Sequence, residues 1–297
     1  MPLIASPSVV RAGHVLGHLA AHPTSTFSAS DLARTLGIPR ATCNSLLLGL
    51  AELGMVRRDD SLAWSLGRAC IALGDAARVA DPALRIASSH AEELSRSNAL
   101  TTAVSIRDDA TTRVAAVFES AVSPTARPHV GDSVALVPPF GVTTIAWSSD
   151  EEIDRWLDRA TPALDESERS RYRVAIEAVR ERGYSIAVAS DPQARFASAL
   201  ERLGDDPSAD VQIDVVLGEI AHSDYLAAEV TPTGPLRVTQ LSSPVFDAEG
   251  RVAASIMVLG PDHDLSVDDA AALGRLLLDT TRRATQSLGG VAPERRR

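Results

Sequence analysis

Over residues 9–21 the apolar positions return at helical spacing, and Val9, Val10, Val15, Leu16 and Leu19 form one stripe for burial. His22-Pro23 ends that helix. A second, short helix follows Ser28, whose hydroxyl suits an N-cap with Asp31 three residues on; it buries Leu32, Ala33 and Leu36. Gly37 closes it and Ile38 fills the turn. Pro39 stands in the first turn of a third helix, whose inward stripe is Leu46, Leu47, Leu50 and Leu53. Gly54 ends this helix, and segments 55–58 and 62–66 flank the polar turn Asp59-Asp60-Ser61, which predicts a two-stranded wing. Helix, helix, tight turn, helix and wing together are a winged helix-turn-helix.

Beyond it the pattern predicts a helix over 67–79, with Ala69, Leu73 and Ala76 on one side, and Asp81-Pro82 opens another that runs to about residue 97. The period then drops to two in 102–106 and 113–118, around a polar turn at 107–112. Helices are expected at 150–159 and 165–182, a strand at 184–189 and an irregular acidic region around 204–210. The last sheet segments are 236–241 and a hairpin of 244–246 with 251–259 around Asp247-Ala248-Glu249-Gly250. A closing helix over 267–288 is capped by Ser266 with Asp269 at its third position. Strands joined mainly by hairpins, with helices at both ends, predict an antiparallel sheet of the α+β class, and no Gly-x-Gly-x-x-Gly follows a strand. The expected division is a winged helix-turn-helix at 1–67, a helical linker at 68–80, an antiparallel-sheet domain at 81–290 and an unordered tail at 291–297.

Composition narrows the chemistry. A chain of 297 residues is long enough for two cores. Its longest apolar runs, such as 134–139, are too short to span a bilayer, and residues 1–8 lack the basic start and apolar stretch of an export signal, so a cytoplasmic location is expected. Cys43 and Cys70 form no paired ligand spacing. All 29 basic residues are arginine, which removes P-loop lysines, Schiff bases and Ser-Lys dyads. The net charge of -10 is uneven: residues 1–68 hold six arginines against four carboxylates, so the rest carries about -12. A mildly basic head on an acidic body suits a head that meets phosphate.

The third helix fits a major groove. Its first turns set Arg40, Ala41, Thr42, Asn44 and Ser45 opposite the leucine stripe, where they reach base edges or phosphates, with Ser28 at the start of the preceding helix beside them. Arg57 and Arg58 in the wing are placed to meet the flanking backbone. Isolated arginines are usually solvated surface charges, and Asn44 and Ser45 serve equally as plain surface residues; the winged pattern is what favours contact with DNA. Cys43 reads as a small packed residue. His14, His18 and His22 align on one helix face, but no cysteine or clustered carboxylate completes a metal site, and they read as structural or surface histidines. Asp205-Asp206, Asp268-Asp269, His222 with Asp224, and His263 with Asp264 read as solvated polar groups.

The runs Val9-Val10-Arg11-Ala12, Ser28 to Arg34, Leu36-Gly37-Ile38-Pro39-Arg40-Ala41-Thr42, Leu53-Gly54-Met55-Val56-Arg57-Arg58 and Trp64-Ser65-Leu66-Gly67 resemble the DNA-binding domain of IclR-type regulators. Asn44 and Ser45 stand where that family usually carries an arginine. Toward the C-terminus the run from Ser243 to Ser255, Val258-Leu259-Gly260-Pro261, Val130-Gly131-Asp132 and Glu181-Arg182-Gly183-Tyr184 resemble the family's GAF-like effector domain. Between 134 and 147, Leu136-Val137-Pro138-Pro139-Phe140-Gly141 departs from the family's stretch. The resemblance implies a regulator that binds double-stranded DNA and a small-molecule effector as a homodimer or a dimer of dimers, with no catalytic residue, metal, cofactor or membrane partner. It places the effector on the concave face of the sheet, against Phe140, Thr143, Thr144, Trp147, Ser242 and Ser243. Phe140 and Trp147 as plain core is the competing account. At the level of function, the alternatives are an enzyme or metabolite-binding module whose winged helix serves protein interaction.

Overall fold

The computed structural model describes residues 6–108, 110–121, 124, 127–188 and 235–293. They fall into two compact units, Met1–Ala80 and Asp81–Arg297.

In the first unit α1 (Pro7–Ala21), α2 (Ala29–Thr35) and α3 (Arg40–Glu52) close on a core of Val15, Leu19, Leu32, Cys43, Leu47, Leu50, Val56 and Trp64. Strands β1 (Val56–Arg58) and β2 (Trp64–Leu66) pair antiparallel as the wing. Phe27 fastens the wing to the loop before α2: its N–H donates to the Trp64 carbonyl at 3.0 Å, and the Trp64 N–H donates back at 2.8 Å. Two stripe assignments need correction. Val9 and Val10 are exposed, because the packed stripe of α1 begins one turn later at Ala12. Leu53 is 67 % exposed as the C-cap of α3, and Cys43 takes its place, since Cys43, Leu47 and Leu50 follow i, i+4, i+7 spacing. Pro39 is the N-cap of α3, one position before the helix rather than in its first turn. The unit ends with α4 (Ala69–Ala80), none of whose residues is buried.

The second unit opens with α5 (Pro82–Asn98), whose cap Asp81 accepts from the Leu84 N–H at 3.0 Å. Then come β3 (Thr102–Asp108), β4 (Thr111–Phe118), β5 (Ser133–Ala135), α6 (Val142–Ile145), α7 (Asp150–Leu157), α8 (Glu166–Arg182), β6 (Ser185–Val188), β7 (Val238–Phe246), β8 (Val252–Leu259) and α9 (Val267–Ser287). The six strands lie in the order β5-β4-β3-β8-β7-β6, every neighbouring pair antiparallel. This is the α+β architecture.

Alternation along the strands sorts the two faces. Val104, Ile186, Leu241, Val245, Ala254, Ile256 and Val258 pack with Leu84, Ala87, Ala91 and Leu94 of α5 and Leu277 and Ala284 of α9. The other face carries the small apolar cluster of Ala103, Met257 and Leu259, and α6 touches it where Thr143 bonds Ser185 at 2.7 Å. Helices α6 to α8 hold their own core around Trp156, Ile145, Leu157 and Ile176.

The expected segments 236–241 and 244–246 merge into one strand, β7, which begins at Val238 and has Pro244 inside it. Proline survives there because β6 pairs with β7 only as far as Ser242, so past that point β7 has a neighbour on one side only. Strand β5 and helix α6 were not expected; three residues and a single turn are too short to show a period. The acidic region at 204–210, the last residue of the 184–189 strand, and His222 with Asp224 lie outside the described residues.

Candidate nucleic-acid interface and effector face

The tight turn between α2 and α3 is fixed locally. The Asp31 N–H donates to the Ser28 hydroxyl at 3.1 Å, and that hydroxyl donates to the Asp31 carboxylate at 2.6 Å. The Asp31 carboxyl lies below its usual range because Ser28 and Arg34 both donate to it. Gly37 adopts a φ of 63°, which a side chain resists, and the Ile38 N–H returns to the Ala33 carbonyl at 3.0 Å. With Cys43, Leu47 and Leu50 turned inward, the geometry of a 3.6-residue helix sends Arg40, Ala41, Asn44 and Ser45 outward, and all four are exposed. Thr42 is half-buried at the helix flank. No ion pair holds Arg40 among the described residues, and Ser28 is exposed but already engaged as a cap.

Leu48 was missed by the sequence pattern. It is 56 % exposed, one turn beyond Asn44 on the outward face. Three consecutive leucines at 46–48 conceal which of them leaves the core; only the position of Cys43 in the stripe resolves it.

The two wing arginines have different duties. Arg58 folds back on its own hairpin, with its Nε donating to the Leu62 carbonyl at 3.2 Å and its guanidinium 5.4 Å from the centre of the Trp64 ring. The turn beneath it is tied by Asp59, which accepts from the Ser61 hydroxyl at 2.6 Å and the Ala63 N–H at 2.9 Å. These bonds hold the Asp59 carboxyl low. Arg57 is exposed and takes no such bond among the described residues, which leaves it to meet a partner.

The histidines of α1 divide likewise. His14 is exposed, whereas the His18 ring lies 4.5 Å from His22 and 4.8 Å from Phe27. Burial, with the neighbouring His22 second, lowers the His18 pKa below 6.5. Among the described residues no three His, Cys, Asp or Glu side chains are grouped to hold a metal ion.

In the second unit one of the proposed effector residues lies away from the rest. Ser243 is fully buried and points to α9, donating or accepting at 2.8 Å with Thr281 and donating to the Gly183 carbonyl at 2.9 Å. That is a correction to its expected place; adjacent strand residues face opposite ways, so only Ser242 of the pair lies on the face toward α6. Thr143 and Thr144 are buried in α6, and Thr143 bonds Ser185. Trp147 is half-buried against the edge of Phe246, with ring centres 5.1 Å apart. The Phe140 carbonyl accepts from the Trp156 Nε1–H at 3.0 Å, which ties the start of α6 to α7. At one side of this face Arg107 of β3 pairs with Glu152 of α7 at 2.6 Å. Burial alone would raise the Glu152 pKa, but hydrogen bonds from Arg107 and Ser148 outweigh it and hold the carboxyl low.

Comparison with known proteins now adds to this geometry. Residues 8–60 match the IclR helix-turn-helix domain. No curated protein matches the sequence. Among solved structures, an IclR transcriptional regulator from Alicyclobacillus acidocaldarius superposes with a TM-score of 0.71 at 19 % identity, covering 96 % of this chain and 100 % of that one. HmgR of Pseudomonas aeruginosa gives 0.63 at 23 % identity, covering 95 % and 98 %. An IclR homologue from Microbacterium hydrocarbonoxydans, solved with 4-hydroxybenzoate, gives 0.65 at 13 % identity, covering 95 % and 99 %. No helix among the described residues is long and apolar enough to cross a membrane. Residues 8–60 therefore belong to the IclR helix-turn-helix domain family, and the chain that carries them has the fold of IclR transcriptional regulators.

Proposed function

We propose that the chain is a cytoplasmic regulator that docks α3 in the major groove of double-stranded DNA and answers to a small-molecule effector. The observation that carries this reading is the outward face of α3, where Arg40, Ala41, Asn44, Ser45 and Leu48 stand exposed on a helix whose other side is sealed by Cys43, Leu47 and Leu50. Arg40 and Asn44 can reach base edges or phosphate, Ala41 and Leu48 can meet a thymine methyl, and Arg57 can meet the flanking backbone. Arg58 contributes indirectly, by keeping the hairpin in shape.

A single recognition helix reads too few bases for specificity, so the working form is a homodimer on a palindromic site. Uncovered apolar surface supports this: Ile71, Leu73 and Val79 of α4 and Val9 of α1 are all more than half exposed. The effector reading is supported by the relative solved with 4-hydroxybenzoate and by the polar face of the sheet toward α6. An effector shifts DNA affinity only as far as it prefers one arrangement of the dimer over another.

The test is a gel shift on DNA selected from genomic fragments, repeated at several salt concentrations. Arg40→Ala is expected to weaken binding about tenfold or more while the protein stays folded by circular dichroism. Binding should also fall steeply with salt, as counterion release requires. Unchanged affinity in Arg40→Ala and Asn44→Ala, or binding indifferent to salt, would turn the assignment toward a protein partner.

A further inference from the structure

The face of the sheet turned away from α5 and α9 is not an ordinary core. On the α5 and α9 side the apolar contacts run without a break from strand to helix. On the other side they stop: Ala103, Met257 and Leu259 form one cluster, the core of α6 to α8 forms another, and the two do not merge. Between them, beside Pro244 and Phe246, lies a set of buried hydroxyls. Ser105 pairs across the strands with Ser255, and Ser185 with Ser242, and all four are at least nine-tenths buried together with Thr143 and Thr144.

Two polar atoms here are buried without any hydrogen-bond partner, the Trp147 Nε1–H and the Thr112 hydroxyl. Thr112 belongs to this face by register, since it sits opposite Arg107, two residues from the Ser105 pair. Trp147 belongs to it through Phe246, the β7 residue against which its ring is set. A buried polar group without a partner is unfavourable and is relieved when a ligand supplies one.

Charge is as telling as the hydroxyls. Arginines do reach the elements around this face, but each described one is already engaged: Arg107 by Glu152, Arg113 by Asp108 and the Gly131 carbonyl, Arg155 by the Glu151 carbonyl, and Arg180 by Glu177 and the Ala146 carbonyl. Among the described residues, a free carboxylate brought here would have to break one of those pairs to gain a full counter-charge.

We propose that this face takes an uncharged effector: a small molecule with an apolar body and a carbonyl or hydroxyl oxygen that accepts from the Trp147 indole N–H, the serine and threonine hydroxyls completing its contacts. This rests on the effector-responsive reading above and narrows it to a ligand class.

Matched pairs of small carboxylic acids and their primary amides, beginning with benzoate and benzamide, test the idea on the full-length protein. Each compound is titrated by calorimetry and by quenching of tryptophan fluorescence, then added to the operator gel shift. The amides are expected to bind at least tenfold more tightly than their acids. Trp147→Phe, which keeps a ring and removes the N–H, should weaken the amides at least fivefold, and Thr112→Val should cost less. Acids that bind as well as or better than amides, or a Trp147→Phe protein that binds amides unchanged, would overturn the proposal. If an acid also shifts operator binding, effector control stands and only the ligand class fails. If no compound of either kind binds while operator binding persists, this face is not the site. Loss of operator binding by the unmodified protein would instead strike at the regulator reading itself.

Discussion

The two units put their polar side chains to opposite uses. In the first, Arg40, Asn44, Ser45 and Arg57 stand on the surface and the interior is mainly apolar around Leu47 and Trp64. In the second, hydroxyls are buried: Ser243 with Thr281, Thr143 with Ser185, and Thr285 accepting from the Phe246 N–H at 3.1 Å. A surface that must meet phosphate needs side chains with no prior commitment, whereas a layer that specifies how α9 lies on β7 needs every group committed. The contrast teaches where substitutions will be felt: in the first unit apolar truncations should hurt folding and polar ones binding, while in the second polar truncations should hurt folding as well.

The strongest break in that comparison is Leu47→Ala. Leu47 is fully buried between α1, α2 and the wing, and removing its isobutyl group is expected to cost about 3 kcal/mol. Hydrogen exchange on the whole protein should show faster opening of α1 to α3 amides with those of α9 unaffected. A uniform acceleration across both units would mean that they unfold together. The matching change in the second unit is Thr281→Val, which keeps volume and removes the partner of Ser243. Expected is a loss of about 1–2 kcal/mol seen in α9 and β7 amides, and an unaltered unfolding profile would show that the Gly183 carbonyl alone satisfies Ser243. Smaller again is Ser28→Ala, which takes the cap from α2 and should lower the stability of the first unit by about 1 kcal/mol. Should DNA affinity fall far more than this stability loss explains, Ser28 would be a contact as well as a cap.

Legibility in the sequence follows the same division. The helix-turn-helix is local: caps, glycine at a positive φ and i, i+4, i+7 spacing all lie within a few residues of one another, so α2, the turn and the outward face of α3 can be read directly. Val9, Val10 and Leu53 are misassigned because spacing says which residues share a stripe but not where the partner helix ends. The sheet unit is long-range. That Ser242 and Ser243 face opposite layers depends on the register of β7 with β8 and β6, and Ser185, Ser105 and Ser255 join the candidate face only through pairings that no local pattern announces. That the Thr112 hydroxyl and the Trp147 N–H are buried without partners is likewise a property that exists only once the chain is folded.

The least of the expected effects concerns a polar ring set into the interior of the first unit. The His18 ring is set against His22 and Phe27, its Nε2 is buried without a partner, and the Phe27 backbone is bonded to Trp64 of the wing. Burial first, and the His22 charge second, lower its pKa from 6.5, so the folded state binds a proton there less readily than the unfolded chain does. Stability that depends on the neutral ring is therefore complete above 6.5 and is lost as the pH falls from that value to the lower one in the fold. Exchange of α1 amides measured from about pH 8 down to about pH 5 should accelerate, beyond the intrinsic chemistry, across that window. His18→Gln, which cannot take up a proton, should flatten the dependence in α1 and leave the α9 amides as they were. If the dependence survives in His18→Gln, the His18 ring is not its source.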